Sequence, residues 1–183
     1  MKQLSDYWDG KEGYGSHCPI LYELMKHIQG PVLELGCGDF STPLLCDIAK
    51  DDILVSLESE QEWYDQMVTR GYHANPKHSI IYVADWDKMF VEIEQYWTLI
   101  FVDHNGTRRV NDALLLKNRC DIMILHDTDA DGSGGKYGWK DLWQHFRYRK
   151  DFKHGNPVAM PATSIVSNVV DVNDWWKKNV ESL

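Results

Sequence analysis

The run Val32-Leu33-Glu34-Leu35-Gly36-Cys37-Gly38-Asp39-Phe40-Ser41-Thr42-Pro43 constrains the fold more than any other part of this chain. Its opening residues have the apolar character of a buried strand, interrupted by a single acid. Two glycines end the strand, and Ser41, Thr42 and Pro43 read as a helix start. A buried strand that stops at a glycine turn and opens a helix is how α/β proteins build a crevice for a nucleotide-like cofactor. Glycine has no Cβ, so backbone there can approach a ligand closely. The stretch therefore predicts a cofactor against Gly36, Cys37 and Gly38, with Glu34, Ser41 and Thr42 beside them.

Further apolar runs bounded by polar caps follow. Ile53–Glu58, Ser79–Asp85, Trp97–Asp103 and Asp121–Asp127 read as strands, and each ends in a carboxylate. Amphipathic segments lie between nearly all of them, as in a parallel sheet covered on both faces. Ser59 and Glu62 read as a capping box for the helix that follows the second strand. Upstream, Pro19 sits at a first helical position before Ile20, Leu21, Leu24 and Met25, and residues 1–16 read as an irregular, mobile lead-in. Towards the end, a helix is expected from Trp139 to about Arg147. Strands over residues 152–160 and 163–170 follow, joined by a Pro161 turn with no helix between them, which predicts an antiparallel pair. Trp175 and Trp176 read as part of a short packing helix. The expected architecture is α/β: a doubly wound, mostly parallel sheet with a C-terminal antiparallel strand pair. With 183 residues it forms one domain (1–183), made of a lead-in and helix (1–30), a cofactor-binding core (31–170) and a C-terminal helix (171–183).

The formal net charge of -9 argues against a nucleic-acid backbone as the main partner. Met1 to Asp6 carry no apolar leader, and no apolar run reaches membrane-spanning length, so a soluble, cytoplasmic protein is expected. Cys18, Cys37, Cys46 and Cys120 have no metal-ligand spacing and read as small core residues.

In such a sheet, ligands bind beyond the carboxyl ends of the strands. That edge collects Gly36, Gly38, Glu58, Asp85, Asp103, His126 and Asp127. Glu58 lies 20 residues beyond Gly38, the separation at which an acid accepts hydrogen bonds from a ribose. Glu34-Leu35-Gly36-Cys37-Gly38 resembles the first motif of class I S-adenosylmethionine-dependent methyltransferases. Gly36-Cys37-Gly38-Asp39-Phe40-Ser41-Thr42 is similar to the subset whose loop reads Gly-x-Gly-x-Ser-Thr. The resemblance covers roughly residues 30–170. It implies Glu58, with Ser59, at the ribose, Asp85 and Trp86 at the adenine, and Asp103 among the cofactor-binding residues. Val102-Asp103-His104-Asn105-Gly106-Thr107-Arg108 fits that subset's fourth-strand turn, and His126-Asp127-Thr128 its fifth.

The implied activity is methyl transfer from S-adenosyl-L-methionine to a small-molecule acceptor, at oxygen. No Asn-Pro-Pro-Tyr element is present, since Asn75-Pro76 and Asn156-Pro157 lack its continuation, and this disfavours nucleobase amines. His104 and His126 are the candidate general bases, with Asp103 beside them, and His17 could reach the site from the lead-in. Asp103 and Asp127 match positions that hold Mg²⁺ in catechol-type O-methyltransferases, although Thr128 stands where a third oxygen ligand is usual. Asp127 to Gly132 imitates the start of a calcium loop, but Gly138 takes the place of the bidentate Glu, leaving a flexible acidic loop hinged at Gly132, Gly134 and Gly135. Two other readings stay open: a nicotinamide-dependent oxidoreductase or epimerase, and a non-catalytic S-adenosylmethionine-binding protein.

Overall fold

The computed structural model describes residues 2–10, 13–93, 95–104, 108–128, 137–152 and 162–182. Seven strands form one sheet: β1 Val32–Leu35, β2 Leu54–Glu58, β3 His78–Tyr82, β4 Trp97–Val102, β5 Cys120–Thr128, β6 Tyr148–Phe152 and β7 Ala162–Ser167. Their order is β3-β2-β1-β4-β5-β7-β6. The first five pair in parallel, whereas β7 runs antiparallel to both β5 and β6. The expected doubly wound sheet with a terminal antiparallel pair is the sheet observed.

Alternate residues of each strand feed two cores. On one face Val32, Leu54, Leu99, Phe101, Ile122, Ile124 and Ile165 pack under α1 (Cys18–Met25), α2 (Ser41–Ile48) and α6 (Val172–Trp176). On the other, Leu33, Leu35, Leu57, Ile100, Val102, Met123 and Leu125 pack under α4 (Trp86–Glu92) and α5 (Arg109–Leu116). Every residue of β1 is buried, as a central strand covered on both faces requires. Helix α3 (Gln61–Thr69) packs on β2 and β3 and buries Met67. No helix among the described residues is long and apolar enough to cross a membrane.

Several elements differ from expectation, each for a local reason. Between Gly138 and Phe146 the chain makes two 3₁₀ turns, Trp139–Asp141 and Trp143–His145, in place of one helix. Trp139 and Leu142 are both fully buried, and their spacing of three matches the 3₁₀ repeat. Strand β6 begins before residue 152, in the polar run Tyr148-Arg149-Lys150-Asp151, because an edge strand is only half covered. The expected strand residues 153–160 and the Pro161 turn lie outside the described residues, as do Asn156-Pro157 and the acidic loop from Asp129 to Gly135. The Ser59–Glu62 capping box does not form: Glu60 is the N-cap of α3, and the Ser59 and Glu60 amides donate to Glu58 instead. The lead-in is packed where mobility was expected. The Tyr7 hydroxyl donates to Asp47, and a Cβ on Gly15 would collide with Trp8 and Phe40.

Candidate active site

The carboxyl edge of the sheet divides at β1. On one side the glycine turn meets the end of β2. Glu58 is buried, and its carboxylate accepts from the amides of Ser59 (2.7 Å), Glu60 (2.8 Å) and Cys37 (2.9 Å). The first two share Oε1 and the third takes Oε2, which keeps one acceptor direction for another donor. Burial raises the pKa of Glu58, opposed by these three amides.

Glu34 is fully buried one turn behind. Ser41 Oγ donates to it at 2.6 Å and Thr42 Oγ1 at 3.1 Å, while Thr42 Oγ1 also accepts from the Gly38 amide at 3.0 Å. Glu34, Ser41 and Thr42 thus brace the turn against α2, with Glu34 facing protein on all sides. Desolvation pushes Glu34 up to about 7, with the Ser41, Ser56 and Thr42 hydroxyls pulling the other way.

The two glycines have different work. Gly36 has φ +93°, and a Cβ there would stand 2.5 Å from His104 Cα. It makes room for the chain leaving β4, which corrects the expectation that its missing Cβ serves a ligand. A Cβ on Gly38 would meet only Ser41 Oγ, at 3.8 Å, so the open face of the turn is here. Asp85 caps α4, its Oδ1 accepting from the amides of Asp87 and Lys88 (3.0 and 3.3 Å). Trp86 is buried, stacked on Phe90 and tilted against the His104 ring.

On the other side of β1, the ends of β4 and β5 face the start of α1. Arg109 lies between the two acids expected to hold a metal. Its Nη2 is 2.9 Å from Asp103 Oδ1, and its Nη1 is 2.7 Å from Asp127 Oδ2. It also donates to the backbone oxygens of Asp103 and His104 and lies over the Tyr137 ring. A guanidinium occupies the position that Mg²⁺ would need, and Thr128 Oγ1 turns away to Ser164 at 2.8 Å. The residues therefore do not fit the Asp103–Asp127 magnesium site that the resemblance implied.

The two candidate bases separate sharply. The side chain of His104 is fully buried, its Nε2 2.8 Å from the equally buried Asp112, which Arg108 also grips. It is a structural histidine, which corrects its expected place among the bases. His126 instead joins the edge cluster: Nδ1 lies 3.0 Å from Asp103 Oδ1, and Nε2 lies 3.0 Å from Ser16 Oγ. Burial works against its protonation, but the charges of Asp103 and then Asp127 outweigh this and raise its pKa. His17 completes the group, with Nδ1 3.9 Å from Asp103 Oδ2 and its ring edge-on to His126. A register shift in the β5–β7 pairing between His126 and Thr128, with Asp127 at φ +57°, turns successive residues of β5 towards this cluster. Sequence reasoning missed both Ser16 and Arg109, neither of which carries a local signal of a site. Asn105, Gly106 and Thr107 lie outside the described residues.

No protein-family model matches the chain, and no curated protein matches it by sequence. Solved structures do match by shape. The O-methyltransferase TomG from Streptomyces achromogenes, in complex with SAM, superposes over 86% of this chain and 80% of its own at 12% identity, with a TM-score of 0.65. An O-methyltransferase from Bacillus cereus in complex with SAH gives 13% identity, 84% and 80% coverage and a TM-score of 0.64. An rRNA methylase from Streptococcus thermophilus gives 8% identity, 83% and 95% coverage and 0.63. With its strand order and the antiparallel β7, the chain has the class I methyltransferase fold.

Proposed function

We propose that this protein is an S-adenosylmethionine-dependent methyltransferase acting on an oxygen of a small molecule. The observation that carries the reading is Glu58, held rigid by three amides at the end of β2, beside the open Gly38 face of the turn. A preorganised carboxylate with one remaining acceptor direction suits a ribose hydroxyl. Cys37, Gly38 and Ser59 line the same side, and Asp85 with Trp86 follows at the end of β3. The residues present fit S-adenosylmethionine, whose sulfonium supplies an activated methyl group when bound. The antiparallel β7 supports this cofactor over a nicotinamide.

What the chain adds is alignment and exclusion of water. The packed lead-in brings Ser16 and His17 over the edge, and the Asp103–His126 pair stands where an acceptor hydroxyl can lose its proton. The neighbours act on different acceptors by their descriptions, TomG in tomaymycin synthesis and another on rRNA, so shape alone does not select among them. The net charge of -9 favours a small molecule over a polyanion. Four free cysteines agree with a reducing, cytoplasmic setting.

Calorimetry with S-adenosylmethionine and S-adenosylhomocysteine tests the reading. Both bind the wild-type protein, Glu58→Ala weakens them by roughly 10- to 100-fold, and Gly38→Val abolishes binding while the fold survives. Absence of binding by either compound would sink the proposal.

A further inference from the structure

We infer that His17, Asp103 and His126 form a binding site for a first-row transition dication of the Zn²⁺ class, distinct in ligands and in metal from a magnesium site at Asp103 and Asp127. The inference deepens the proposed methyl transfer, since the ion would sit where the acceptor oxygen is expected, but it stands on its own geometry.

Three elements far apart in sequence deliver these donors: the N-cap of α1, the end of β4 and the third residue from the end of β5. One donor atom from each lies within 4.8 Å of the others, and both imidazoles are buried. The two spacings to Asp103 approach those of donors sharing one ion. Two donors about 2.1 Å from one tetrahedral ion stand about 3.4 Å apart. Asp103 Oδ1 and His126 Nδ1 are separated by 3.0 Å, with the carboxylate off the ring-nitrogen axis. An off-axis approach leaves the Nδ1 lone pair pointing beside the carboxylate, where an ion shared by the two groups can sit. His17 Nδ1 lies 3.9 Å from Asp103 Oδ2 and needs to close by about 0.5 Å to reach tetrahedral spacing.

The surroundings complete the argument. A metal-binding imidazole usually donates its second N–H to a fixed acceptor, and His126 Nε2 has Ser16 Oγ at 3.0 Å in that role. The His17 ring is held against Phe101 with centroids 4.7 Å apart. Two imidazoles and one carboxylate suit Zn²⁺ or Fe²⁺ and not Mg²⁺, which prefers oxygen. Three protein ligands leave a position open for an acceptor oxygen, the arrangement of a catalytic site and not a structural one. Arg109 holds Asp103 at Oδ1 (2.9 Å) and Asp127 at Oδ2 (2.7 Å), one cation against two anions, so one net negative charge remains for the ion, with Asp103 Oδ2 on the His17 side.

The test is titration of tag-free, chelator-stripped protein with Zn²⁺ by calorimetry and with Co²⁺ by visible absorption, both in excess Mg²⁺. A single equivalent binds, Co²⁺ gives a ligand-field spectrum, and Mg²⁺ does not compete. His17→Ala and Asp103→Asn each weaken Zn²⁺ by more than about 10-fold, the least that losing even an outer partner costs. Because a variant in the buried cluster can unfold, the wild-type protein is also loaded with Cu²⁺, and spin-echo spectroscopy counts the coordinated imidazoles. Two supports the site; one or none overturns it. Zn²⁺ binding weaker than about 100 μM, or binding indifferent to both substitutions in folded protein, also overturns it. Metal titrations omit S-adenosylmethionine and cofactor titrations contain a chelator, so loss of one binding event leaves the other standing.

Discussion

The two halves of the carboxyl edge are built by different means. Around Glu58 the partners are backbone amides of Cys37, Ser59 and Glu60, so the site is fixed by turns close in sequence or by adjacent strands. Around Asp103 the partners are side chains. Ser16 and His126 meet across 110 residues, and Arg109 ties Asp103 to Asp127 across two strand ends. Backbone donors do not depend on side-chain identity, so the first half can serve one invariant cofactor on many chains. Side-chain networks change with every substitution, and the second half is where a particular acceptor chemistry is set. Gly36 is the joint between them, since its amide binds the Leu57 oxygen of β2 while its missing Cβ admits His104 of the β4 end.

The largest effect is therefore expected at that joint. Gly36→Ala places a Cβ 2.5 Å from backbone and forces a non-glycine residue to φ +93°. Overpacking and left-handed strain together cost about 4 kcal/mol, and urea unfolding should show it. Both halves fail at once in this variant, whereas Gly38 substitutions affect only the cofactor. A Gly36→Ala protein of wild-type stability would mean the halves are not joined there.

The second effect lies in the backbone-wired half and depends on pH. Glu34 titrates near 4.5 when unfolded and about 7 when folded, because desolvation disfavours its charge. Between those values the folded state holds a proton that the unfolded state has lost. Stability from this group is complete below pH 4.5 and is lost as pH rises through about 7, a change on the order of 3 kcal/mol. Glu58 is raised in the same direction and adds to the slope. Glu34→Gln keeps an acceptor for Ser41 and Thr42 and should flatten the profile. Denaturation midpoints from pH 5 to pH 8 check it, and an unchanged slope in Glu34→Gln would assign the dependence elsewhere.

What could be read from the sequence follows the same division. The succession of strands, the glycine turn and Glu58 depend on local pattern, and β1 was legible residue for residue. The polar face of β6 hid its true start, because edge strands lack the apolar run that marks a covered one. His104 and His126 look alike as strand-end histidines; only the tertiary position of Asp112 beneath one and Ser16 beside the other distinguishes them. Arg109 was the costliest omission. An arginine next to another arginine reads as a solvated helix start, and nothing local reveals that Asp127 lies opposite.

Arg109 also gives the smallest of these effects and the sharpest separation of the halves. Its guanidinium neutralises two carboxylates that retain some solvent contact, so the loss on Arg109→Met falls between that of an exposed and a fully buried pair, about 2 kcal/mol. Among the described residues Arg109 bonds to Asp103, His104 and Asp127 and not to the Glu58 half, and affinity for S-adenosylhomocysteine should stay within about 3-fold of wild type. The same substitution removes the cation standing between Asp103 and Asp127. Two carboxylates left facing one another repel, and a hard dication relieves that repulsion. Arg109→Met should accordingly gain a Mg²⁺-dependent rise in melting temperature that the wild-type protein lacks. Thermal melts with and without Mg²⁺ decide it: a rise in both proteins would show that the guanidinium does not exclude the ion, and a rise in neither would show that the two acids are held apart by the backbone.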